Sequence, residues 1–386
     1  MDGNRRDFLK YSIAPLVVPA TAFGANDRPS YGLIGAGGRG RYVSQTFQKL
    51  GAECVAIAEV YQPNTQAALK DAPQAKTYVD YKELLAQPGI DFVVVGTPDH
   101  QHCPNLLDSI AAGKDVYLEK PMSHSLEESK RMIAAVRKAK KIVQIGMQRR
   151  SAPMIHKAKK LVDEGILGRV SLVKPMWNWN VSRALNNTPL PGKLDWEQFC
   201  GKKKVNFEPM KFRSWRYFWA FSGGNMTDQG THLMDVTQWF TNDSQGPLSA
   251  ISYGQAQKNT GSEVPDVFTA VFEFPKHMAV WTLNYCSSYQ DNWSITFQGD
   301  KGTMYLDESG FKVYKEPWRE QANRTPIIDE AAGVPLEAHV QNFLDCIKSR
   351  QEPNCPVEIG ASAVSGPHLA NIAFKRGRQA KMSEHA

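Results

Sequence analysis

Three side chains have the types and the spacing to move a proton at a carbinol. Asp228 and His232 lie four residues apart in Asp228-Gln229-Gly230-Thr231-His232, a spacing that sets both on one face of a helix. Lys120 follows the apolar, strand-like run Asp115-Val116-Tyr117-Leu118 in the sequence Glu119-Lys120-Pro121. Oxidising a secondary alcohol removes the O–H proton while hydride leaves the carbon. Histidine titrates near neutrality and suits the proton. A lysine ammonium stabilises the developing alkoxide, and a carboxylate orients the hydroxyl and the imidazole. Taken alone, Asp228 and His232 read as a helix-surface pair and Lys120 as a solvated residue at a strand end. A nucleotide motif elsewhere in the chain alters that balance.

That motif is Gly35-Ala36-Gly37-Gly38-Arg39-Gly40, which fits G-x-G-x-x-G between an apolar run and a helix-forming segment at 41–50. Gly35 makes the tight turn, Gly37 lets the backbone approach a pyrophosphate, and Gly40 lets the helix sit close to the strand. The helix start then offers free N–H groups to the phosphates, with Ala36, Gly38 and Arg39 completing the loop. A second apolar run, 54–58, ends in Glu59, placed to accept a hydrogen bond from a ribose 2′-hydroxyl. No arginine follows in Val60-Tyr61-Gln62, so NAD is favoured over NADP.

These groups need a scaffold, and the pattern supplies one. Helices are expected at 62–70, 81–85 and 126–140, and strands at 90–95, 115–118 and 141–146. Pro104 is expected to open a further helix that stops at Gly113. Strands and helices alternate with short connections, which predicts a Rossmann-type doubly wound parallel sheet over 28–150. Ligands on such sheets bind at the carboxyl ends of strands, where Thr97, Pro98, His100, His102, Glu119, Lys120 and Gln148 fall.

From 151 to 386 the pattern changes to an α+β domain. A basic helix at 155–165 precedes β-like runs at 169–179, 248–257, 267–274, 278–285, 293–298 and 302–306. Several alternate apolar and polar residues, predicting a large, mostly antiparallel, open-faced sheet. Helices at 335–349 and 361–375 close the chain and pack back. Residues 180–222 read as a loop rich in Trp and Arg, too aromatic for disorder. Trp faces stack on sugar C–H faces, and Arg donates to hydroxyls or carboxylates. Trp177, Arg213, Trp215, Arg216 and Tyr217 are therefore candidate substrate contacts; a core-capping aromatic cluster is the competing reading.

The 386 residues, with 42% apolar and 22% charged, suffice for two cored domains. The net charge of +7 is spread out and Lys202-Lys203-Lys204 reads as a solvated loop, so no nucleic-acid partner is expected. Six cysteines without a C-x-x-C pair are expected as buried free thiols, Cys346–Cys355 being the one pairing considered. The start of the chain, Arg5-Arg6-Asp7-Phe8-Leu9-Lys10 before an apolar stretch and Ala20-Thr21-Ala22, looks like a twin-arginine export signal over 1–25. A periplasmic or otherwise exported protein is expected. The stretch at 11–20 is too short and proline-broken to span a membrane. Outside the cytoplasm, where free nicotinamide nucleotide is scarce, a dehydrogenase would need a tightly held cofactor.

Together these residues resemble the glucose–fructose oxidoreductase / inositol dehydrogenase / rhizopine-catabolism (Gfo/Idh/MocA) family. The motifs Gly35–Gly40, Thr97-Pro98 with His102, Glu119-Lys120-Pro121 and Asp228-Gln229-Gly230-Thr231-His232 occur in the family's order, with Asn342-Phe343 and Asp345 near the end. The resemblance implies Lys120 as the catalytic lysine, His232 as the acid–base, and Asp228 binding substrate between them. It also implies a cis Lys120–Pro121 bond, a homo-dimer or homo-tetramer joined through the open sheet, and a sugar, cyclitol or glycoside substrate. Three alternatives stay open. A redox-neutral NAD-dependent glycosidase shares the fold, although the plain Glu119-Lys120-Pro121 motif speaks for a dehydrogenase. A nucleotide-binding sugar sensor would be expected to lack Lys120 or His232. Zinc at His100, His102 and His232 lacks the usual ligand spacing, so no metal is expected.

Overall fold

The computed structural model describes residues 28–385; the twin-arginine motif and Ala20-Thr21-Ala22 lie outside the described residues. The first sheet holds β1 (Ser30–Ile34), β2 (Glu53–Ala58), β3 (Lys76–Tyr78), β4 (Phe92–Val95), β5 (Asp115–Leu118) and β6 (Val143–Ile145). All six run parallel in the order β3-β2-β1-β4-β5-β6. The connecting helices are α1 (Gly38–Lys49), α2 (Gln62–Asp71), α3 (Tyr81–Leu85), α4 (Asp99–Ala111) and α5 (Leu126–Ala139). Covered on both faces, β4 can be an unbroken Phe-Val-Val-Val run, every residue of it buried. The order reverses between β1 and β4, which opens a crevice at their carboxyl ends.

The second domain contributes α6 (Pro153–Asp163), β7 (Val170–Asn178), α7 (Trp196–Cys200), α8 (Pro209–Arg213) and α9 (Gly224–Thr241). Strands β8 (Ser249–Gln255), β9 (Val267–Glu273), β10 (Met278–Asn284), β11 (Asn292–Gly299), β12 (Gly302–Asp307), β13 (Gly310–Lys315) and β14 (Ile328–Ala331) follow. The chain closes with α10 (Glu337–Ser349), α11 (Val357–Arg376) and the short β15 (Ala380–Lys381). The nine strands run β14-β13-β12-β11-β7-β10-β9-β8-β15, antiparallel throughout except for the central β7–β10 pair. One face buries Trp281, Phe272 and Phe297 with Phe240 of α9 and Leu369 of α11. The opposite face leaves Tyr253, Ile251 and Met278 exposed.

Several expectations are corrected. Helix α4 begins at Asp99, with Pro98 as its cap, and carries Pro104 inside instead of being opened by it. Ser222 donates to Asp99 Oδ2 at 2.6 Å in the first turn, and the proline forfeits one main-chain bond, which the packed helix absorbs. The 180–222 segment is not simply a loop, since α7 and α8 lie in it. The C-terminal helices also cross the expected boundary at 150. Val340, Phe343 and Leu344 of α10 sit in one core with Phe47, Phe92 and Tyr117 of the first domain. Helix α11 gives Val357 and Ala363 to the first domain and Leu369 and Ala370 to the second. Cys346 and Cys355 are both free and belong to different apolar clusters.

Candidate active site

Strand β5 delivers Glu119 and Lys120 to the crevice, followed by a cis Lys120–Pro121 bond. Helix α9, buried along nearly its whole length, brings Asp228 and His232 in on successive turns of one face. The two sets meet. The Lys120 ammonium is ion-paired with Asp228 Oδ1 and donates to the Asp228 main-chain carbonyl at 3.0 Å. Arg216 Nε lies 3.2 Å from the other carboxylate oxygen, its guanidinium stacked 4.2 Å over Trp215. Arg39 of the glycine loop pairs with Glu119 at 2.9 Å. A cleft of about 280 Å³ is enclosed here, with Lys120, Asp228 and His232 in its wall beside Thr97, Trp177 and Trp179.

The electrostatics assign each group a protonation state. Burial raises the Asp228 carboxyl, but the charges of Lys120 and Arg216 outweigh it and hold the group down at about 2. Burial pushes His232 well below the ordinary imidazole value, and Arg149, Lys120 and Arg39 add to the effect. The ring is therefore neutral at pH 7 and able to accept a proton. Its Nδ1 is buried without a partner, and the ring centre lies 6.3 Å from that of Trp177.

The neighbouring groove fits a dinucleotide. Gly35 holds φ +84 in a turn where a Cβ would lie 2.7 Å from the Thr97 nitrogen, so only glycine serves. A Cβ on Gly37 would meet nothing nearer than Asn64 Nδ2 at 4.0 Å and would project into the open groove, where a pyrophosphate needs the room. At the end of β2, Glu59 accepts from the main-chain N–H of Ala36 at 2.8 Å and of Tyr61 at 2.9 Å. Its carboxylate is thereby fixed facing the groove, with lone pairs left for ribose hydroxyls. Burial raises this carboxyl, and the two N–H groups oppose the rise.

Most residues singled out from sequence line one or other space. Gly35, Gly37, Gly38, Arg39, Glu59, Thr97 and Pro98 line the groove, while Glu119, Lys120, Gln148, Trp177, Trp215, Arg216, Asp228 and His232 line the cleft. Ala36 acts through its N–H on Glu59, and Gly40 packs α1 so closely that a Cβ would lie 2.1 Å from the Gly35 carbonyl oxygen. Four residues do other work. His100 faces neither space; its Nε2 donates to the Phe199 carbonyl at 2.8 Å, and burial holds the ring down at about 3. His102 is buried with its ring nitrogens 2.7 Å from the Pro121 oxygen and 2.9 Å from the Thr97 oxygen, and its N–H donates to one of these carbonyls. Arg213 spends its guanidinium on the carbonyls of Thr188 and Pro189, although it borders the groove. Tyr217 does not line the cleft; its main-chain carbonyl accepts from Glu263 N at 3.0 Å. His100 and His102, two of the three zinc candidates, face carbonyl oxygens, and among the described residues no group of three or more His, Cys, Asp or Glu could hold a metal ion.

Sequence reasoning missed Asp99, Trp179 and Gln229 in the cleft wall and Arg149 behind it. Trp179 carried a signal, standing two residues after Trp177 and so on the same side of an extended chain. Arg149 carried none. It is fully buried, its guanidinium 4.2 Å from the Trp293 ring and 5.7 Å from that of Trp177, with Nε and Nη1 unpartnered.

Comparison with known proteins identifies the family and the fold. The profile described as the oxidoreductase family, NAD-binding Rossmann fold, matches residues 30–147, and that of the family's C-terminal alpha/beta domain matches 159–366. The uncharacterized oxidoreductase YrbE of Bacillus subtilis is 31% identical over 86% of this chain and 90% of its own length. An inositol 2-dehydrogenase/D-chiro-inositol 3-dehydrogenase of Lacticaseibacillus casei is 34% identical over 37% of this chain and 42% of its own. Among solved structures, levoglucosan dehydrogenase in complex with NADH and levoglucosan superposes with a TM-score of 0.73 at 18% identity, covering 92% of this chain and 99% of that one. The aldose-aldose oxidoreductase of Caulobacter crescentus, complexed with glycerol, gives 0.70 at 20% identity, covering 92% and 99%. With an NAD-binding first domain and both profiles matched in order, the chain belongs to the Gfo/Idh/MocA family of oxidoreductases.

Proposed function

We propose that the protein is an NAD-dependent dehydrogenase of a secondary alcohol on an uncharged sugar, cyclitol or glycoside. The observation that carries this reading is the neutral His232 beside the Lys120–Asp228 pair in a cleft walled by Trp177 and Trp179. The indole faces suit the C–H face of a sugar ring. Arg39 pairs with Glu119, and Lys120 and Arg216 both pair with Asp228, so each of these cleft cations already has a carboxylate partner and an uncharged substrate is favoured. His232 accepts the hydroxyl proton, and Lys120 donates to the same oxygen and stabilises the alkoxide. Asp228 holds the ammonium in place and accepts from a neighbouring hydroxyl. Bound nicotinamide supplies the acceptor for the hydride.

The test is a panel of neutral polyols and anhydrosugars with uronates as counterparts, followed at 340 nm with protein and NAD in equal amounts so that reduction of the bound nucleotide is read directly. Turnover of a neutral member is expected. Turnover of uronates alone would overturn the charge argument, and aglycone release without net NADH would favour the glycosidase cycle.

Two further parts of the reading rest on other observations. The exposed Tyr253, Ile251 and Met278 share one face of the second sheet, which suits a second copy of the chain; light scattering should give a multiple of the subunit mass, which is 43.1 kDa for the full chain and less once a signal is removed. Export through the twin-arginine route rests on the Arg5-Arg6-Asp7-Phe8-Leu9-Lys10 motif. Changing both arginines to lysine should keep the protein in the cytoplasm.

A further inference from the structure

The second-domain segment 180–222 crosses the nucleotide groove of the first domain and is fastened on both sides of its passage. At the β2–α2 connection Tyr61 and Leu194 form an antiparallel bridge. Asp195 N donates to the Val60 carbonyl and Gln62 N to the Lys193 carbonyl, each at 2.9 Å. The Tyr61 hydroxyl donates to the Pro191 carbonyl at 2.6 Å, and its ring meets Phe212 edge-on at 4.8 Å. Gly192, at φ +76, passes so near that a Cβ would lie 2.9 Å from the Pro63 ring. On the far side, the Phe199 carbonyl accepts from His100 Nε2 at 2.8 Å and from Gln101 Nε2 at 2.9 Å. Phe199, Phe218 and Phe221 form an apolar cluster between these fastenings, joined by Val60 from the first domain.

Two cavities lie beneath the crossing and share Glu59 in their walls. One, of about 730 Å³, has Thr77 and Val79 on the first-domain side and Leu194 and Trp196 on the other. The second, of about 250 Å³, sets Gly35 and Gly37 against Phe212 and Trp215. The ribose carboxylate and the pyrophosphate loop therefore both lie under second-domain side chains.

We infer that residues 191–215 form a clasp over the adenosine diphosphate half of the bound dinucleotide, so that the cofactor stays on the protein from one turnover to the next. The inference rests on the NAD-dependent reading above. For the nucleotide to leave, the segment must lift, which breaks the bridge and exposes the aromatic cluster. Release is then limited by clasp opening and not by the nucleotide's own contacts.

The test loads the whole mature protein with radiolabelled NAD and measures release into excess unlabelled NAD. Tyr61 and Leu194 are the non-hydrogen-bonded pair of their bridge, where Cα atoms stand about 4.5 Å apart, within disulfide reach. In the Tyr61→Cys/Leu194→Cys variant, release is expected to be at least about fivefold slower when oxidised than when reduced. In Tyr61→Ala it is expected to be at least about fivefold faster than in the unaltered protein. The cysteine pair serves as its own control for folding. A smaller difference between its oxidised and reduced forms overturns the clasp and leaves the dehydrogenase reading standing. If the unaltered protein, denatured and assayed, carries no nicotinamide nucleotide and also binds no labelled NAD, both fall together.

Discussion

The Lys120 ammonium crosses from the first domain to the second and holds Asp228 twice, by its carboxylate and, at 3.0 Å, by its main-chain carbonyl. One side chain thus links the end of β5 to α9, beside His232 in the same cleft wall. It also stands where a substrate oxygen would need a donor. Lys120→Met removes the donor and leaves a buried carboxylate with Arg216 as its remaining partner. Turnover should fall by about 10²–10³, the usual cost of losing one charge-stabilising or proton-moving group. NAD affinity, set at the glycine loop and Glu59, should stay within about threefold by fluorescence titration.

The neutral state of His232 predicts the pH profile. Burial, Arg149, Lys120 and Arg39 all push its proton off. Alcohol oxidation needs the ring unprotonated, so kcat/KM should hold its plateau below pH 6.5 and fall only in more acid solution. His232→Gln should remove that acid limb together with most of the rate. Arg149→Gln takes away a buried cation whose charge disfavours the protonated ring, and the limb should move toward higher pH. An unmoved limb in Arg149→Gln would show that burial alone sets the state of His232.

Much of this site was legible in the sequence because the chemistry sits at strand and helix ends that punctuation residues mark. Gly35, Gly37 and Gly40 are required by sterics within a few residues of one another, and Asp228–His232 obeys helix spacing. The errors have one physical origin: the number of polar atoms a side chain has left after packing. His100, His102 and Arg213 are chemically able to bind a ligand, yet main-chain carbonyls face them instead: Phe199 for His100, Pro121 and Thr97 for His102, Thr188 and Pro189 for Arg213. Arg149 could not be found because its meaning lies in Trp177 and Trp293, which a register between β7 and β11 brings together. The placement of α10 was hidden similarly, since its amphipathic pattern does not say which sheet it covers.

Acid should unfold the protein from an unusually high pH. Burial pushes His100 and His368 down to about 3, His124 and His339 down to about 4, and His232 well below 6.5. In the unfolded chain each would gain a proton as the pH falls through 6.5, while in the folded protein each stays neutral until near its depressed value. The unfolded state therefore binds more protons in this window. Stability is full above pH 6.5 and is lost below it, by about 1.4 kcal/mol per pH unit for each histidine involved. Glu59, Asp99 and Glu128 offset part of this, because burial raises their carboxyls and favours the folded state as the pH falls. Urea midpoints at pH 7.5 and pH 5 measure the balance. A lower midpoint at pH 5 is expected, and an equal or higher one would mean that the raised carboxyls match or outweigh the histidines.

Helix α10 makes a different prediction, because it lies in the last part of the chain and stabilises the first. Phe343 is fully buried among Phe47, Phe92 and Tyr117, with ring centres 5.9, 5.3 and 5.9 Å away. Those three rings come from α1, β4 and β5, the elements whose ends form the nucleotide groove. Phe343→Ala leaves a cavity the rigid sheet cannot close and should cost about 3–5 kcal/mol. A defect confined to the second domain would leave the NAD site intact. In the arrangement seen here, the first domain should lose stability, and saturating NAD should restore part of the melting temperature by binding only the folded state. Thermal unfolding of the variant with and without NAD measures both effects. An NAD-induced rise in melting temperature in the unaltered protein that disappears in Phe343→Ala would show that the helix shapes the groove as well as supporting it.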